Sequence, residues 1–468
     1  MRYFIGILFS LIWLTPTICA QTLDEARKLY LEGQYEAALP AFEAAIKSSP
    51  KNASYNQWYG NCLLETGQLK EATEYLRFAA SKDIMESFNS LGKLHCLLYE
   101  FEESVEAYEK YEQLLIKSKR MEDADLVKPL IERSERLARM LSRCEDIQII
   151  DSVIIDKKTF LDAYLISKEV GSLENKDNSV LYENSLKDNR YFAKKNEFGK
   201  YRLFHEMKLQ NNWTEAKVLT LASDSLENDN YPFVLPDGVT IYYASTGNGS
   251  IGGYDLFVTR YNSNNDTYLA PSQLGMPFNS IANDYMMVID ENNMIGYFAT
   301  DRFQPDDKVI VYTFISNEEI QSIDSEDTEE LIGRAQITSI RDTWKDGVDY
   351  ASILSEVKKN IFEEQNKKQK DFFFVINDNI VYGTLADFEN EAAKQTFLKL
   401  KEVKNEINEL EKDLDALRRD YSNGDASLKQ SLKETILSKE NKLFSLWEQN
   451  KKTALDARNL EIKHLRNN

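Results

Sequence analysis

The stretch from Gly33 to Pro50, which reads GQYEAALPAFEAAIKSSP, decides the fold of the N-terminal part of the chain. A glycine-led turn is followed by small residues and a phenylalanine at helical spacing, in a pattern A-x3-F-x2-A-x4-P that begins at Ala38. The same order recurs 34 residues later, where residues 67–84 read GQLKEATEYLRFAASKDI. Small residues at fixed positions let two helices approach closely, and the aromatic residue fills the neighbouring gap. The stretch therefore predicts helix pairs that repeat.

A third, more diverged copy extends this array, with Leu91-Gly92 on its first helix and Ser104 and Tyr108 on its second. The period and these positions resemble the tetratricopeptide repeat. We therefore predict an α-solenoid of tetratricopeptide repeats over residues 21–145. An amphipathic helix should close the array, marked by the leucines Leu126, Leu130, Leu137 and Leu141.

The resemblance implies a groove along the concave face of the array, formed by the first helix of each repeat, where such proteins bind peptides. A clamp for a C-terminal carboxylate is not expected, because Leu23, Trp58, Glu86 and Ser90 stand where that clamp needs Lys, Asn and Arg. A purely structural spacer is the alternative to a binding groove. The side chains that should face the groove are Arg27, Tyr30, Gln57, Asn61, Leu64, Asn89 and Lys93.

Near Asp146 the pattern changes to short β-rich runs separated by Asn, Asp and Gly. Residues 231–238 read YPFVLPDG and are followed by IYYAS from Ile241 and GGYDLF from Gly252. A similar order begins at Tyr285 with YMMVIDEN and continues with IGYFATD. This unit resembles the WD40-like propeller repeat of TolB type. It implies central β-propeller-like antiparallel sheets over residues 146–385, although two clear blades are few for a closed ring.

Two segments inside this region do not fit the repeat. A charged, helix-like insertion is expected at about residues 327–370. A β-hairpin is expected at residues 372–376 and 380–382, turning at Asn377-Asp378, and could supply a further blade.

The last segment, residues 386–468, predicts a C-terminal α-helical coiled-coil hairpin. Apolar residues alternate spacings of three and four from Leu400 to Leu417. Residues 421–425 read YSNGD and should stop the helix, with Gly424 in the left-handed conformation. A second apolar seam follows from Leu428 to Leu455. An antiparallel hairpin closing on itself is favoured, and an oligomerising coiled coil is the alternative.

The first twenty residues read as a secretory signal peptide, with Arg2 before an apolar run and cleavage expected between Ala20 and Gln21. Lipidation at Cys19 is the less favoured alternative. Cleavage would leave Cys62, Cys96 and Cys144, which are too few for a disulfide framework. We expect them to be buried thiols, although a bridge between Cys62 and Cys96 is left open. No other apolar run is long enough for a membrane span in the mature chain.

The sequence carries no convincing chemical site, so no catalytic, cofactor-binding or metal-binding residues are assigned. Residues 247–252 match G-x-G-x-x-G, but a strand pattern follows them where a dinucleotide site needs a helix. None of the three histidines, His95, His205 and His464, has a neighbouring Cys or His that makes a convincing metal-ligand set. The net charge of −20 argues against nucleic acid as a partner.

Taken together, the segments predict a multidomain α + β protein in which helices, sheets and a helical hairpin follow one another. Their order resembles envelope proteins associated with type IX secretion, yet nothing after Leu385 resembles the OmpA-like domain that ends fuller members. We expect an exported, periplasmic or outer-membrane-associated scaffold, not an enzyme, with protein partners in the cell envelope. A carbohydrate-binding or hydrolytic protein, or a structural protein that self-assembles through the coiled coil into a homo-oligomer, are the alternatives.

Overall fold

The computed structural model describes residues 22–467, apart from 177–178, 211, 222–225, 318, 367–371 and 378–379. The predicted signal peptide at residues 1–20, with Cys19, lies outside this part of the chain. The chain divides into two compact units, Met1–Lys359 and Asn360–Asn468. The described residues form N-terminal helices, antiparallel sheets in the middle, and long helices at the C-terminus.

The N-terminal helices pack in sequence order, as the repeat pattern predicts. Thr22 accepts a hydrogen bond from the backbone N–H of Glu25 and so caps the first helix, and Asn52 caps the third in the same way. Gly33 and Gly67 hold the turns with φ of +75° and +80°, a conformation that favours glycine. The helices are α1 (Leu23–Leu31), α2 (Tyr35–Ser48), α3 (Ala53–Glu65), α4 (Leu69–Ala80), α5 (Met85–Leu97), α6 (Phe101–Lys117) and α7 (Met121–Leu141).

Close helix crossings explain the small residues of the repeat. A Cβ on Gly92 of α5 would lie 2.6 Å from the ring of Tyr108 on α6, and one on Gly60 would lie 2.9 Å from Leu76 Cγ. Cys62, Cys96 and Cys144 are buried free thiols, so no disulfide joins Cys62 to Cys96. Burial raises the pKa of the Cys62 thiol to about 12, which keeps it protonated and unreactive.

Three antiparallel sheets follow the helices. The first has the order β2 (Ser172–Lys176), β3 (Ser179–Glu183), β4 (Asn189–Lys195), β5 (Tyr201–Leu209) and β6 (Asn212–Trp213), with β7 (Lys217–Val218) also on β5. The second joins β8 (Asp229–Val234), β9 (Thr240–Ser245), β10 (Asp255–Asn262) and β11 (Thr267–Tyr268), with β12 (Ser272–Gln273) also on β10. The third joins β13 (Asp284–Asp290), β14 (Ile295–Thr300), β15 (Lys308–Ile315) and β1 (Gln148–Asp156).

The third sheet is completed by the first strand of the region. β1 runs antiparallel to β15, with Gln148 opposite Ile315 and Asp156 opposite Lys308. The second and third sheets share a core that includes Leu256, Phe298 and Phe314. The antiparallel sheets are thus present, but no closed barrel or propeller ring forms within the described residues.

A helical segment after the third sheet returns to β1, in the region where a helix-like insertion is expected. It comprises α8 (Thr328–Gln336), a 3-10 turn at Ile340–Thr343 and α9 (Tyr350–Asn366). Trp344 Nε1 donates a hydrogen bond to the carbonyl of Ile149 at 2.7 Å. The backbone N–H of Ile149 donates a hydrogen bond to Thr343 Oγ1 at 2.9 Å. These bonds attach the 3-10 turn to the edge of the third sheet.

The second unit is a long helical hairpin with a small sheet. Strands β16 (Phe374–Asn377) and β17 (Ile380–Tyr382) precede α10 (Glu391–Asn423) and α11 (Ala426–Asn467), which pack along their length. The sequence predicts this β-hairpin and offers it as a further propeller blade. It instead packs on the two long helices, because Phe374 shares a core with Phe397 of α10 and Ala457 of α11. Gly424 does end α10, but in an extended conformation with φ of −78°, so the expected left-handed cap is wrong.

No helix within the described ranges is long and apolar enough to cross a membrane.

Candidate partner-binding face

Polar side chains join the first helices of neighbouring repeats. Gln57 Nε2 on α3 donates a hydrogen bond to Tyr30 Oη on α1 at 3.2 Å. Ser90 Oγ on α5 donates one to Asn61 Oδ1 on α3 at 2.7 Å. Gln57 and Asn61 are buried, and an unpaired buried amide would cost about 1–3 kcal/mol. These hydrogen bonds therefore hold the helices in register and leave the two amides little to offer a partner.

Charged side chains lie at the surface of the same row of helices. Lys93 Nζ on α5 donates to both carboxylate oxygens of Glu65 on α3, at 2.7 and 2.8 Å. The Arg27 guanidinium on α1 lies 4.4 Å from the centre of the Trp58 ring and 3.4 Å from an oxygen of Asp24. The side chains of Arg27 and Lys93 are 45% and 48% exposed, and ion pairs at that exposure contribute about 0–1 kcal/mol. Both cations can therefore exchange their present contacts for a partner's carboxylates at little cost.

The remaining predicted residues separate into surface and core. Asn89 is exposed on α5, next to the buried Ser90. Leu64 is 2% exposed and packs in the core with Leu63 and Leu76, so it does not reach the groove. We use the name groove face for the side of α1, α3 and α5 where Arg27, Asn89 and Lys93 are exposed, with Tyr30 half-buried and Gln57 and Asn61 buried beneath them.

Sequence reasoning missed Glu65 and named Glu86 only as a residue that does not fit a carboxylate clamp. Glu65 pairs with Lys93 as described, and Glu86 on α5 accepts a hydrogen bond from Tyr111 Oη at 2.9 Å. Glu86 also lies 3.4 Å from Arg120, which stands one full period of 34 residues later. The pairs that join α1 to α3 and α3 to α5 are 27, 29 and 28 residues apart. A search for an acidic residue 27–29 positions before Lys93 would therefore have found Glu65.

The repeat helices are docked on the sheets through a different surface. On α7, Arg133 Nε donates to the carbonyl of Ile251 at 2.7 Å, and Arg136 Nη1 donates to that of Gly249 at 2.8 Å. Tyr99, in the turn between α5 and α6, is 1% exposed and packs in a core shared with Met276 of the sheet region. The first unit is therefore one body, in which the groove face is not the docking surface.

The glycine loop at residues 247–252 thus has a structural role. It leads into the strand β10, so the helix that a dinucleotide pyrophosphate would need does not follow it. Asp255 orders the loop, because its carboxylate accepts hydrogen bonds from the backbone N–H groups of Ile251 and Gly252 at 2.8 and 3.1 Å.

Other titratable groups with shifted pKa values are also bound within the fold. Burial raises the pKa of Asp255 to about 7, and burial also raises that of Asp284, which accepts a hydrogen bond from Arg302 at 2.9 Å. Neither aspartate is accessible, since both are 0% exposed. His205 stacks on Tyr191 with ring centres 4.4 Å apart. No group of three His, Cys, Asp or Glu residues suited to a metal ion occurs in the described part of the chain.

Comparison with known families supports the assignment of the helices. A family model described as a tetratricopeptide repeat matches residues 29–80, which run from the end of α1 to the end of α4. No curated protein matches the chain. The repeat predicted from the sequence is therefore confirmed over these residues, and repeats of this kind are typical of scaffolds that bind other proteins.

Proposed function

We propose that this protein is a non-enzymatic scaffold of the bacterial cell envelope that binds a protein partner on the groove face. The observation that carries the proposal is that Arg27 on α1 and Lys93 on α5 are half-exposed cations whose surface ion pairs are weak enough to be replaced. The part-buried Tyr30–Gln57 and the buried Asn61–Ser90 hydrogen bonds hold the three helices in place before a partner arrives. Rigidity of this kind lowers the ordering cost of binding.

The envelope location is proposed from the sequence. The signal-peptide-like segment at residues 1–20 supports export, and the TolB-like blade motifs at residues 231–257 and 285–301 support a place in the periplasm or at the outer membrane. The similarity of the segment order to type IX secretion components makes an outer-membrane assembly the first place to look for partners.

Site-specific photo-crosslinking tests the partner-binding proposal. A photoreactive amino acid at Asn89 on the groove face is compared with one at Arg77, which is exposed on α4. In intact cells we expect light-dependent adducts from position 89 only, and their loss when Arg27→Ala and Lys93→Ala are combined. Equal adducts from both positions, or adducts that survive the double substitution, would contradict the proposal.

The location has its own test. Sequencing the N-terminus of the protein from fractionated envelopes should give Gln21 as the first residue. Retention of residues 1–20 on protein recovered from the cytoplasmic fraction would overturn export.

Self-association is a second candidate function, favoured by one observation on α11. This helix exposes large apolar side chains, among them Leu437, Phe444, Trp447 and Leu455 at 49%, 65%, 46% and 54% exposure. Exposed apolar residues at helical spacing are typical of helices that pack on a further helix. If α11 mediates self-association, sedimentation velocity should show mass rising with concentration, and Phe444→Lys should abolish the rise. A monomer at every concentration would exclude this candidate.

A further inference from the structure

A cavity lies between the second and third sheets, far along the chain from the groove-face residues. It encloses about 430 Å³, within the roughly 300–1,000 Å³ of small-ligand pockets. Its walls are largely apolar and aromatic, with Tyr242 and Leu274 from the second sheet and the loop after it, and Met287 and Phe314 from the third. Phe278 adds a further ring.

Glu145 lines this apolar cavity. The backbone places it there, because the Glu145 N–H donates to the carbonyl of Met276 at 2.7 Å and Glu145 forms a β-bridge with Ser322. Its side chain lies over Gly275, where an added Cβ would come within 3.4 Å of Glu145 Oε1. Among the described residues nothing donates a hydrogen bond to this carboxylate, and no cation pairs with it. Burial alone raises the pKa of Glu145 to about 7.

The other charged groups on the cavity wall are acidic as well. Glu291 and Glu319 line it, and none of its described lining residues is Lys, Arg or His. Burial raises the pKa of Tyr242 above its ordinary value, and the charges of Glu145 and Glu291 add to that effect. The phenol therefore stays protonated and can act as a hydrogen-bond donor near both carboxylates. Asp146, next to Glu145, is already paired with Arg334.

We propose that this cavity binds an apolar group that carries one protonated amine or guanidinium, with the cationic end on Glu145 and the apolar part against Tyr242, Phe278 and Phe314. Three carboxylates and no cation disfavour an anionic ligand. Glu145 is half-buried, and a neutral apolar ligand would shield its carboxylate from solvent without pairing it, which is costly for a charge. A cationic ligand would pair with the carboxylate instead. The cationic group could belong to a free amphiphilic amine or to a lysine or arginine side chain of a peptide.

Binding of three eight-carbon probes tests the charge requirement on the unaltered protein. Octylamine, octanol and octanoate share the apolar part and differ in the end group. By titration calorimetry at about pH 8, where Glu145 is ionised, octylamine should bind about tenfold or more tightly than octanol, and octanoate least. Equal affinity for octylamine and octanol, or no octylamine binding, would overturn the proposal.

A matched pair of variants locates the site. Glu145→Gln keeps the shape and should weaken octylamine binding about tenfold. Glu356→Gln, at an exposed position on α9, should leave it unchanged. A loss of equal size in both variants would mean that the amine binds elsewhere. Circular dichroism of Glu145→Gln checks that the variant is folded, and the probe series on the unaltered protein decides the charge requirement if it is not.

The pH dependence and a peptide probe complete the test. Between about pH 8 and pH 5.5 the octylamine affinity should fall, because Glu145 takes up a proton near pH 7. The Tyr242 phenol, whose pKa is raised by burial, stays protonated throughout this range. An affinity that rises toward low pH would contradict the role of Glu145. An acetylated Leu-Lys-Leu peptide that competes with octylamine would identify a side chain as the source of the cation, and failure to compete would identify a free amine.

Discussion

At the scale of single residues, the absence of a side chain at Gly92 is a packing requirement. The ring of Tyr108 lies where a Cβ would be, at 2.6 Å, and Tyr108 is buried and cannot move aside cheaply. Alanine in a helix interior ordinarily gains roughly 0.5–1 kcal/mol over glycine. At Gly92 the overlap should outweigh this gain, and Gly92→Ala should lower the free energy of unfolding by about 1–3 kcal/mol in urea titrations.

Gly333→Ala provides the control for that measurement. Gly333 lies in α8, and an added Cβ would meet only Thr338 Oγ1 at 3.4 Å, an ordinary contact. We expect this variant to be as stable as the unaltered protein or slightly more so. If Gly92→Ala behaved like Gly333→Ala, the close crossing of α5 and α6 would be wrong.

Glu145 should also leave a signature in the pH dependence of stability. Its pKa is raised from 4.5 to about 7 by burial, so the folded state holds this proton more tightly than the unfolded state. Stability from this group is present below about pH 4.5 and is lost as the pH rises to about 7. Glu145→Gln carries no titrating group there. It should match the unaltered protein at low pH and exceed its stability above pH 7, by on the order of 2 kcal/mol.

The measurement is the difference in thermal midpoint between the two proteins across this pH range. Glu356→Gln, which replaces an exposed carboxylate, should give a difference that is flat with pH. A flat difference for Glu145→Gln as well would show that the Glu145 carboxylate is solvated and not buried in the cavity.

At the scale of elements, the hairpin of α10 and α11 depends on its inner seam. Leu414 is 0% exposed and packs with Leu443 and Leu446. A buried aspartate there would lose this packing and bury a charge, at a cost of about 3 kcal/mol or more. In Leu414→Asp we expect hydrogen–deuterium exchange to increase along residues 391–467.

Leu437→Asp is the matched variant on the outer side of α11, where Leu437 is 49% exposed. Exchange along the two helices should stay within the range of the unaltered protein, since exposed substitutions usually change stability by about 0.5 kcal/mol or less. Equal effects of the two substitutions would show that the inner and outer faces have been assigned wrongly.

The elements differ in how far their sequence reveals them. The helices from Leu23 to Leu141 were predictable because each repeat is local and its period brings Ala38 and Ala72 to equivalent places. Leu64 was assigned to the groove by its position in the repeat alone, and burial between neighbouring helices decided otherwise. A left-handed cap at Gly424 was expected because glycine commonly ends helices in that conformation. The chain instead leaves α10 with Gly424 in an extended conformation.

The whole first unit depends on contacts between its helices and its sheets. Tyr99 projects from a helical turn into the core shared with Met276, and two arginines of α7 bind the loop that contains Gly249. Tyr99→Ala should lower the free energy of unfolding by about 3–5 kcal/mol and separate the melting of the helices from that of the sheets. Differential scanning calorimetry should then show an added transition. Tyr421→Ala, at a 36% exposed position of α10, should leave the trace as it is.

This docking and the Glu145 cavity were not predictable from sequence. They join residues from separate segments, such as Arg133 with Ile251 and Glu145 with Met276. Side chains that meet across so much chain leave no periodic signal, whereas helix and strand patterns do. The strand after the glycine loop was predictable because it is a local feature, but the loop's role as an acceptor for α7 became visible only in the assembled fold.

The pairing of β1 with β15 has a consequence for folding during synthesis of the chain. Asp156 and Lys308 are partners in the ladder, although their positions are 152 apart in sequence. At a synthesis rate of about 5–20 residues per second, β1 emerges roughly 8–30 s before the strand that completes its sheet. Through that interval Ile149 and Ile150, which are buried in the finished protein, have no native strand to cover them. During this delay the unpaired apolar strand is a template for aggregation, so the nascent chain is most exposed to misassembly before β15 emerges.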